Sequence, residues 1–308
     1  MSITNDPRLD TFVYDEFAYF AENAAEAGLA WTGPPEVTRI ETEVAPGRKL
    51  SALRWGSNPP ELVFIHGSAQ NAHTWDTVLL ALGRPAIAVD LAGHGHSDWK
   101  DDFRYRPYLH AADVAAAMRA WCEGPVVLVG MSLGGSTAYS VAAEHPELVR
   151  ALVGVDILPN PSSSAVKDIE DFVSGPQSFP SFGDILDRTM EFNPTRSESS
   201  LRRGIMHNAY RNEDGSWQWR YDRRERPRAE TTASATPIQD PWQVIDAIDV
   251  PFLLVRGGAK GSVVTDESVA ELLRRRPNTR VELVEGAGHS IQGDKPLELA
   301  ALVETFAF

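Results

Sequence analysis

The sequence predicts an α/β protein: a mostly parallel eight-stranded sheet with helices on both faces and an inserted helical cap. Three observations predict it. Short apolar, β-branched runs alternate with helical patterns from Leu62 to Asp156; the alternation stops over residues 157–240; it resumes at Trp242 and runs to the end of the chain. Strands that alternate with helices build parallel sheets with right-handed crossovers, because each helix carries the chain back to start the next strand in the same direction.

The elements follow in order. Residues 1–35 read as an N-terminal helical extension, in which Phe12, Tyr14, Phe17, Phe20 and Ala24 recur at helix-like intervals before the breaker Gly33-Pro34-Pro35. This amphipathic face covers either the main domain or a second copy of the chain. Residues 36–43 and 49–55 read as an antiparallel pair at the sheet edge, turning at Pro46-Gly47. The core occupies 36–156 and 241–308, with further strands at 62–65, 86–90, 126–129, 148–156, 251–255 and 280–284. Helices are expected at about 71–82, 108–122, 136–144 and 265–276, and from Pro296 onward. A structureless loop spanning 157–240 does not fit a compact domain, so that stretch is assigned to the cap.

Composition narrows the function classes. The chain has 308 residues, 43% hydrophobic and 23% charged, enough apolar mass for one large core. Its formal charge of -14 repels phosphates, which excludes nucleic acid as a partner and disfavours anionic membranes. A single cysteine, Cys122, excludes an internal disulfide framework and cysteine-based metal sites. No apolar run approaches the roughly 18 residues of a membrane span, and Met1 to Asp6 lack the basic and apolar regions of a secretory signal. The expectation is a cytoplasmic monomer or homodimer whose partner is a small molecule.

The chemistry is concentrated at Val126-Val127-Leu128-Val129-Gly130-Met131-Ser132-Leu133-Gly134-Gly135. A buried strand breaks into Gly-x-Ser-x-Gly and runs directly into a helix, the pattern of a nucleophile elbow. The turn is so tight that side chains at Gly130 or Gly134 would collide with backbone, and it lifts the Ser132 hydroxyl clear of the sheet at the positive end of the helix. A nucleophilic serine needs a base, a group that orients the base, and donors for the developing oxyanion. His289, in Gly286-Ala287-Gly288-His289 just past the last strand, lies at the sheet edge where catalytic groups collect. The backbone amides of Ser68 and Leu133 are the expected oxyanion donors. His66 reads as a structural histidine at the rim of the site, His94 and His96 as loop-shaping or solvated, and Asp90 as a brace for their turn.

Together His66-Gly67 with Trp75, Asp90-Leu91-Ala92-Gly93-His94-Gly95-His96-Ser97, Gly130-Met131-Ser132-Leu133-Gly134-Gly135 and Gly286-Ala287-Gly288-His289 resemble the α/β-hydrolase superfamily, in particular its cap-bearing esterase, lactonase and C–C hydrolase-like members. The resemblance covers about residues 36–308 outside the cap. It implies an α/β-hydrolase fold, a Ser-acid-His triad, acyl transfer to water in two steps, and no cofactor; no metal site is expected either. The acid departs from the pattern. Most members carry an aspartate shortly after the strand that here ends at Val255, but the aligned position is Gly261. Asp156, at the end of the strand after the elbow helix, is the expected triad acid, as in some branches of the family. Asp266 is the alternative, although Thr265 before it reads as a helix N-cap.

The reading is thus a serine hydrolase that cleaves a carboxylic ester or lactone of a mostly apolar small molecule. C–C bond hydrolysis of a β-diketone or dienone, and low-turnover ligand binding on the same fold, are the alternatives. His66, Trp75, Met131, Trp217, Trp219 and Trp242 are candidate pocket residues, with Met190, Phe192 and Met206 as further walls. Arg202, Arg203, Arg211, Arg220, Arg223, Arg224, Arg226 and Arg228 form a locally basic stretch, expected to be a solvated face paired with acidic neighbours rather than an anion clamp.

Overall fold

The computed structural model describes residues 14–193, 196–223 and 240–308. In chain order its strands are β1 (Val37–Ala45), β2 (Arg48–Trp55), β3 (Leu62–Ile65), β4 (Ala86–Asp90), β5 (Val126–Met131), β6 (Val149–Val155), β7 (Ser178–Phe179), β8 (Ala209–Arg211), β9 (Trp217–Trp219), β10 (Phe252–Gly257) and β11 (Arg280–Val284). Eight of them form the main sheet in the order β1-β2-β4-β3-β5-β6-β10-β11. The expected antiparallel edge pair β1–β2 is present, β2 joins β4 antiparallel, and every pairing from β4 to β11 is parallel.

Alternation along the strands explains why the sheet is covered on both sides. Leu62, Phe64, Val127 and Val129 pack into one apolar layer, whereas Val63, Ile65, Val126 and Leu128 pack into the other. Successive side chains of a strand point to opposite faces, so a continuous apolar run requires helices above and below. Burial of each such side chain stabilises the fold by about 1.5–3 kcal/mol.

Several local differences from the sequence reading have physical causes. Among the described residues of the N-terminal extension, the helix is Phe20–Ala27, and it ends at Gly28 in the left-handed conformation. It lies on the main domain, with Phe20 buried and its ring centroid 5.0 Å from that of Trp55; Phe12 is outside the described residues. The helix expected at 71–82 begins as a 3₁₀ turn, Ala72–Trp75, because the Asn71 side chain accepts from the His73 amide at 2.9 Å, and continues as Asp76–Leu82. The stretch assigned to the cap holds the helices Ser163–Val173, Phe182–Phe192 and Glu198–Asn208, but also a small antiparallel sheet in the order β7-β9-β8. The period-two spacing of Trp217, Trp219 and Tyr221 forms β9 and the residues beyond it, and all three rings are buried in the same apolar cluster with Phe179 and Phe182. No described helix is long and apolar enough to cross a membrane.

Candidate active site

The elbow has the strained geometry its sequence requires. Ser132 sits between β5 and the helix Leu133–Glu144 with φ 54° and ψ -119°, a conformation that costs a non-glycine residue energy and persists only where the surroundings enforce it. A Cβ on Gly130 would lie 2.6 Å from the Gly134 carbonyl carbon, and one on Gly134 would lie 2.6 Å from that of Ile65. The chain turns that closely because β3 and the elbow helix press against one another. A Cβ on Gly67 would meet the Met131 sulfur at 2.6 Å and the Ser132 Cβ at 3.2 Å, so the His66-Gly67-Ser68 loop lies directly over the elbow.

Asp156 follows β6, the neighbour of β5. Met131 pairs with Val155, so Ser132 and Asp156 leave adjacent strands at the same level. Asp156 also has a positive φ, 45°. Its carboxylate is fully buried and accepts four hydrogen bonds. Oδ1 accepts from the Gly257 amide at 2.9 Å and the Ser262 hydroxyl at 2.6 Å; Oδ2 accepts from the Val263 amide at 2.9 Å and from His289 Nδ1 at 2.9 Å. A carboxylate only accepts, so Nδ1 carries the proton and Nε2 is left as the basic nitrogen of His289.

The loop after β10 therefore supplies donors to the carboxylate of the adjoining strand. Gly257, Ser262 and Val263 were not singled out in the sequence; the visible signal was glycine at 261 in place of an acid. The same loop fixes the histidine loop, because the Ala259 amide donates to the Ala287 carbonyl at 2.9 Å. Asp294 Oδ2 accepts from the Gly288 amide at 2.9 Å and braces it from the other side. Asp266 is not brought to His289. Its side chain is 87% exposed, pairs with Arg256 at 2.6 Å, and occupies the first turn of a helix capped by Thr265.

His66 and His94 are held by backbone groups of their own loops. His66 is fully buried, accepts from the Leu91 amide through Nε2 at 3.0 Å and donates from Nδ1 to the Gly67 carbonyl at 2.7 Å. It is a loop support and not a pocket wall, which corrects its inclusion among the pocket candidates. Burial lowers its pKa; burial and the neighbouring His66 also hold His94 at about 3. Asp90 braces the turn as expected, accepting from the Ala72 amide at 2.7 Å and the His96 amide at 3.1 Å while pairing with Arg39 at 2.8 Å.

A cavity of about 740 Å³ lies between the helices of residues 163–208, the N-terminal helix and the segments 70–77 and 286–298. Its walls mix Phe172, Leu201 and Trp219 with Asn71, Arg196 and Asn208. Ser132 and His289 are not among its walls; Gln70 is, and its side-chain oxygen accepts from the Gly67 amide at 3.1 Å beside the elbow. Gln292, also in the wall, donates to Gln70 Oε1 at 3.4 Å and Thr74 Oγ1 at 3.3 Å.

Of the candidate pocket residues, Trp219 alone lines this cavity. Trp75 is fully buried against Phe64 with ring centroids 5.1 Å apart, Trp217 packs on Phe182, and Trp242 lies in the core beneath Arg275. Met131 is buried under the Gly67 loop. Met206 is buried in the cluster with Trp217 and Trp219, Phe192 lies against Phe172 with the rings tilted, and Met190 is partly exposed. In the basic stretch Arg203 pairs with Glu26 and, at 3.6 Å, with Glu22. Arg220 donates to the Ala209 carbonyl at 3.2 Å, and Arg223 donates to the Gly175 carbonyl. Arg224, Arg226 and Arg228 lie outside the described residues.

Comparison with known proteins places this geometry among relatives. Residues 62–302 match the model of the alpha/beta hydrolase family. The chain is 43% identical over 297 residues to an esterase, Rv0045c, of Mycobacterium tuberculosis, covering 94% of each chain. A crystal structure of that esterase superposes with a TM-score of 0.80 at 44% identity, covering 94% of this chain and 97% of the other. A 2-(acetamidomethylene)succinate hydrolase of Mesorhizobium japonicum is 28% identical over 264 residues, covering 83% of this chain and 91% of its own.

Proposed function

Because the chain belongs to the alpha/beta hydrolase family, we propose that it is a serine hydrolase that cleaves a carboxylic ester or lactone of a small molecule through an acyl-enzyme. The observation that carries this reading is the 2.9 Å hydrogen bond from His289 Nδ1 to a carboxylate that leaves the sheet beside the elbow serine. The 43% identity to an esterase supports ester hydrolysis as the reaction class.

In this mechanism His289 Nε2 takes the Ser132 hydroxyl proton as the oxygen attacks the ester carbonyl. Asp156 holds the imidazole in the required tautomer and stabilises the imidazolium that forms. The amides of Ser68 and Leu133 receive the negative charge on the carbonyl oxygen. Leu133 is the first residue of its helix, where amides have no intrahelical acceptor and the helix dipole favours an anion. His289 then returns the proton to the leaving alcohol, activates water, and releases the acid with Ser132 restored. The mixed walls of the neighbouring cavity suit a mostly apolar substrate that also carries hydrogen-bonding groups.

A panel of p-nitrophenyl esters, lactones and a vinylogous diketone, with the products identified, tests the reading. Acid and alcohol products from esters or lactones, abolished in Ser132→Ala, are expected. Turnover of the diketone alone assigns the C–C hydrolase reading, and stoichiometric binding without turnover assigns the ligand-binding one.

A further inference from the structure

Away from the elbow, three buried side chains converge from two parts of the chain. His73 lies in the 3₁₀ turn after β3 and Asp76 opens the helix behind it; His207 comes from the last turn of Glu198–Asn208. One ligand-type atom from each lies within 4.8 Å of the other two, and all three residues are buried. Two atoms of the group have no hydrogen-bond partner among the described residues: His207 Nε2 and Asp76 Oδ1. An unpaired buried polar atom is costly, and two in one cluster require an explanation.

We propose that His73, Asp76 and His207 form a binding site for one divalent transition-metal ion of the zinc class, with a further coordination position open to the cavity. The donor set is two imidazole nitrogens and one carboxylate, which suits zinc and its neighbours and not calcium or magnesium. All three residues border the cavity, which supplies an entry path and room for a water ligand.

The surrounding hydrogen bonds are those a metal-binding histidine requires. His73 Nε2 lies 3.1 Å from Glu16 Oε1, which leaves Nδ1 for the metal in a carboxylate–histidine–metal arrangement. His207 Nδ1 lies 2.6 Å from the Tyr14 hydroxyl, which leaves Nε2, the unpaired atom, for the metal. His73 Nδ1 now bonds Asp76 Oδ2 at 2.9 Å, so metal binding there releases one proton to solvent. The two rings are stacked, 3.7 Å between centroids and 11° between planes. Zinc ligands at about 2.0–2.1 Å stand roughly 3.3 Å apart in a tetrahedron, so the rings rotate out of the stack to close on the ion. An ion held there ties the cap helix bearing His207 to the core turn bearing His73, with Tyr14 and Glu16 drawn in behind it.

Titration calorimetry with zinc chloride on the full chain, stripped with EDTA and exchanged, tests the proposal alongside thermal unfolding at increasing zinc. One zinc per chain and a Tm that rises with zinc are expected. His207→Phe keeps the ring contact but removes the ligand, and is expected to weaken zinc binding at least about 100-fold; Glu16→Gln is expected to weaken it about 10–100-fold. Absence of both heat and Tm shift in the wild type overturns the site. Unchanged affinity in a folded His207→Phe assigns the zinc elsewhere and overturns it as well. Should His207→Phe not fold, Asp76→Asn and Glu16→Gln decide, and wild-type affinity in both overturns the proposal.

Discussion

His289 Nδ1 lies 2.9 Å from Asp156 Oδ2, a contact between residues 133 positions apart in the chain. It joins the loop after the last strand to the end of β6, and the donors that hold the carboxylate come from the loop after β10. If Asp156 orients the base, Asp156→Asn lowers kcat by up to about 10⁴-fold with the fold retained, by analogy with the same change in serine proteases. Asp266→Asn, at an exposed helix start, leaves kcat within about twofold. Steady-state kinetics on a p-nitrophenyl ester separate the two.

The elbow leaves no room at its glycines. Gly134→Ala places a methyl group 2.6 Å from the Ile65 carbonyl carbon, in backbone that has nowhere to move. Overpacking of this kind costs about 1–3 kcal/mol or more. A lowered Tm and loss of ester hydrolysis are expected together, measured by thermal unfolding and initial rates.

Asp90 holds its turn through two amides and an arginine in a fully buried setting, and these partners keep its pKa low despite burial. Asp90→Ala leaves both amides without their acceptor and Arg39 with Glu16 as its remaining carboxylate, so destabilisation of about 1–3 kcal/mol is expected. Urea unfolding of the variant against wild type reads it.

Buried neutral histidines make stability depend on pH in one direction. Burial first, and then the proximity of His66, hold His94 at about 3 in the fold, and burial also lowers His66 and His110. Unfolded histidines titrate at about 6.5. Between these values the unfolded chain binds protons that the folded chain does not, so stability falls as pH falls below about 6.5. His73 has the opposite sign: burial opposes its charge, but Asp76 and Glu16 outweigh that and raise it to about 9. Its contribution is present below about 6.5 and is lost as pH rises through 9, so it does not offset the acid slope. The urea midpoint is expected to be lower at pH 5.0 than at pH 6.5.

The parts that were legible in the sequence share one property: local pattern alone determines them. Alternating runs set the eight strands, glycine spacing set the elbow, and the glycine at 261 drew attention to Asp156. Asp156 needed one further step, because its donors Gly257, Ser262 and Val263 come from about a hundred residues away. The side of an element on which a ring falls is not local. Trp75 and Trp242 are core residues because β3 and the helix behind β10 approach from that side, which no spacing within 72–75 or 241–246 records. The strands of the cap were missed because two or three residues are too few to show a period. The His73–His207 cluster was missed because its members belong to different layers.

Covalent labelling tests the account's central claim most directly. Incubation of the folded protein with a fluorophosphonate, followed by peptide mass mapping, is predicted to place one adduct on Ser132, to abolish ester hydrolysis in step with labelling, and to label Ser132→Ala nowhere. An adduct on another residue, or full hydrolysis by folded Ser132→Ala, contradicts it.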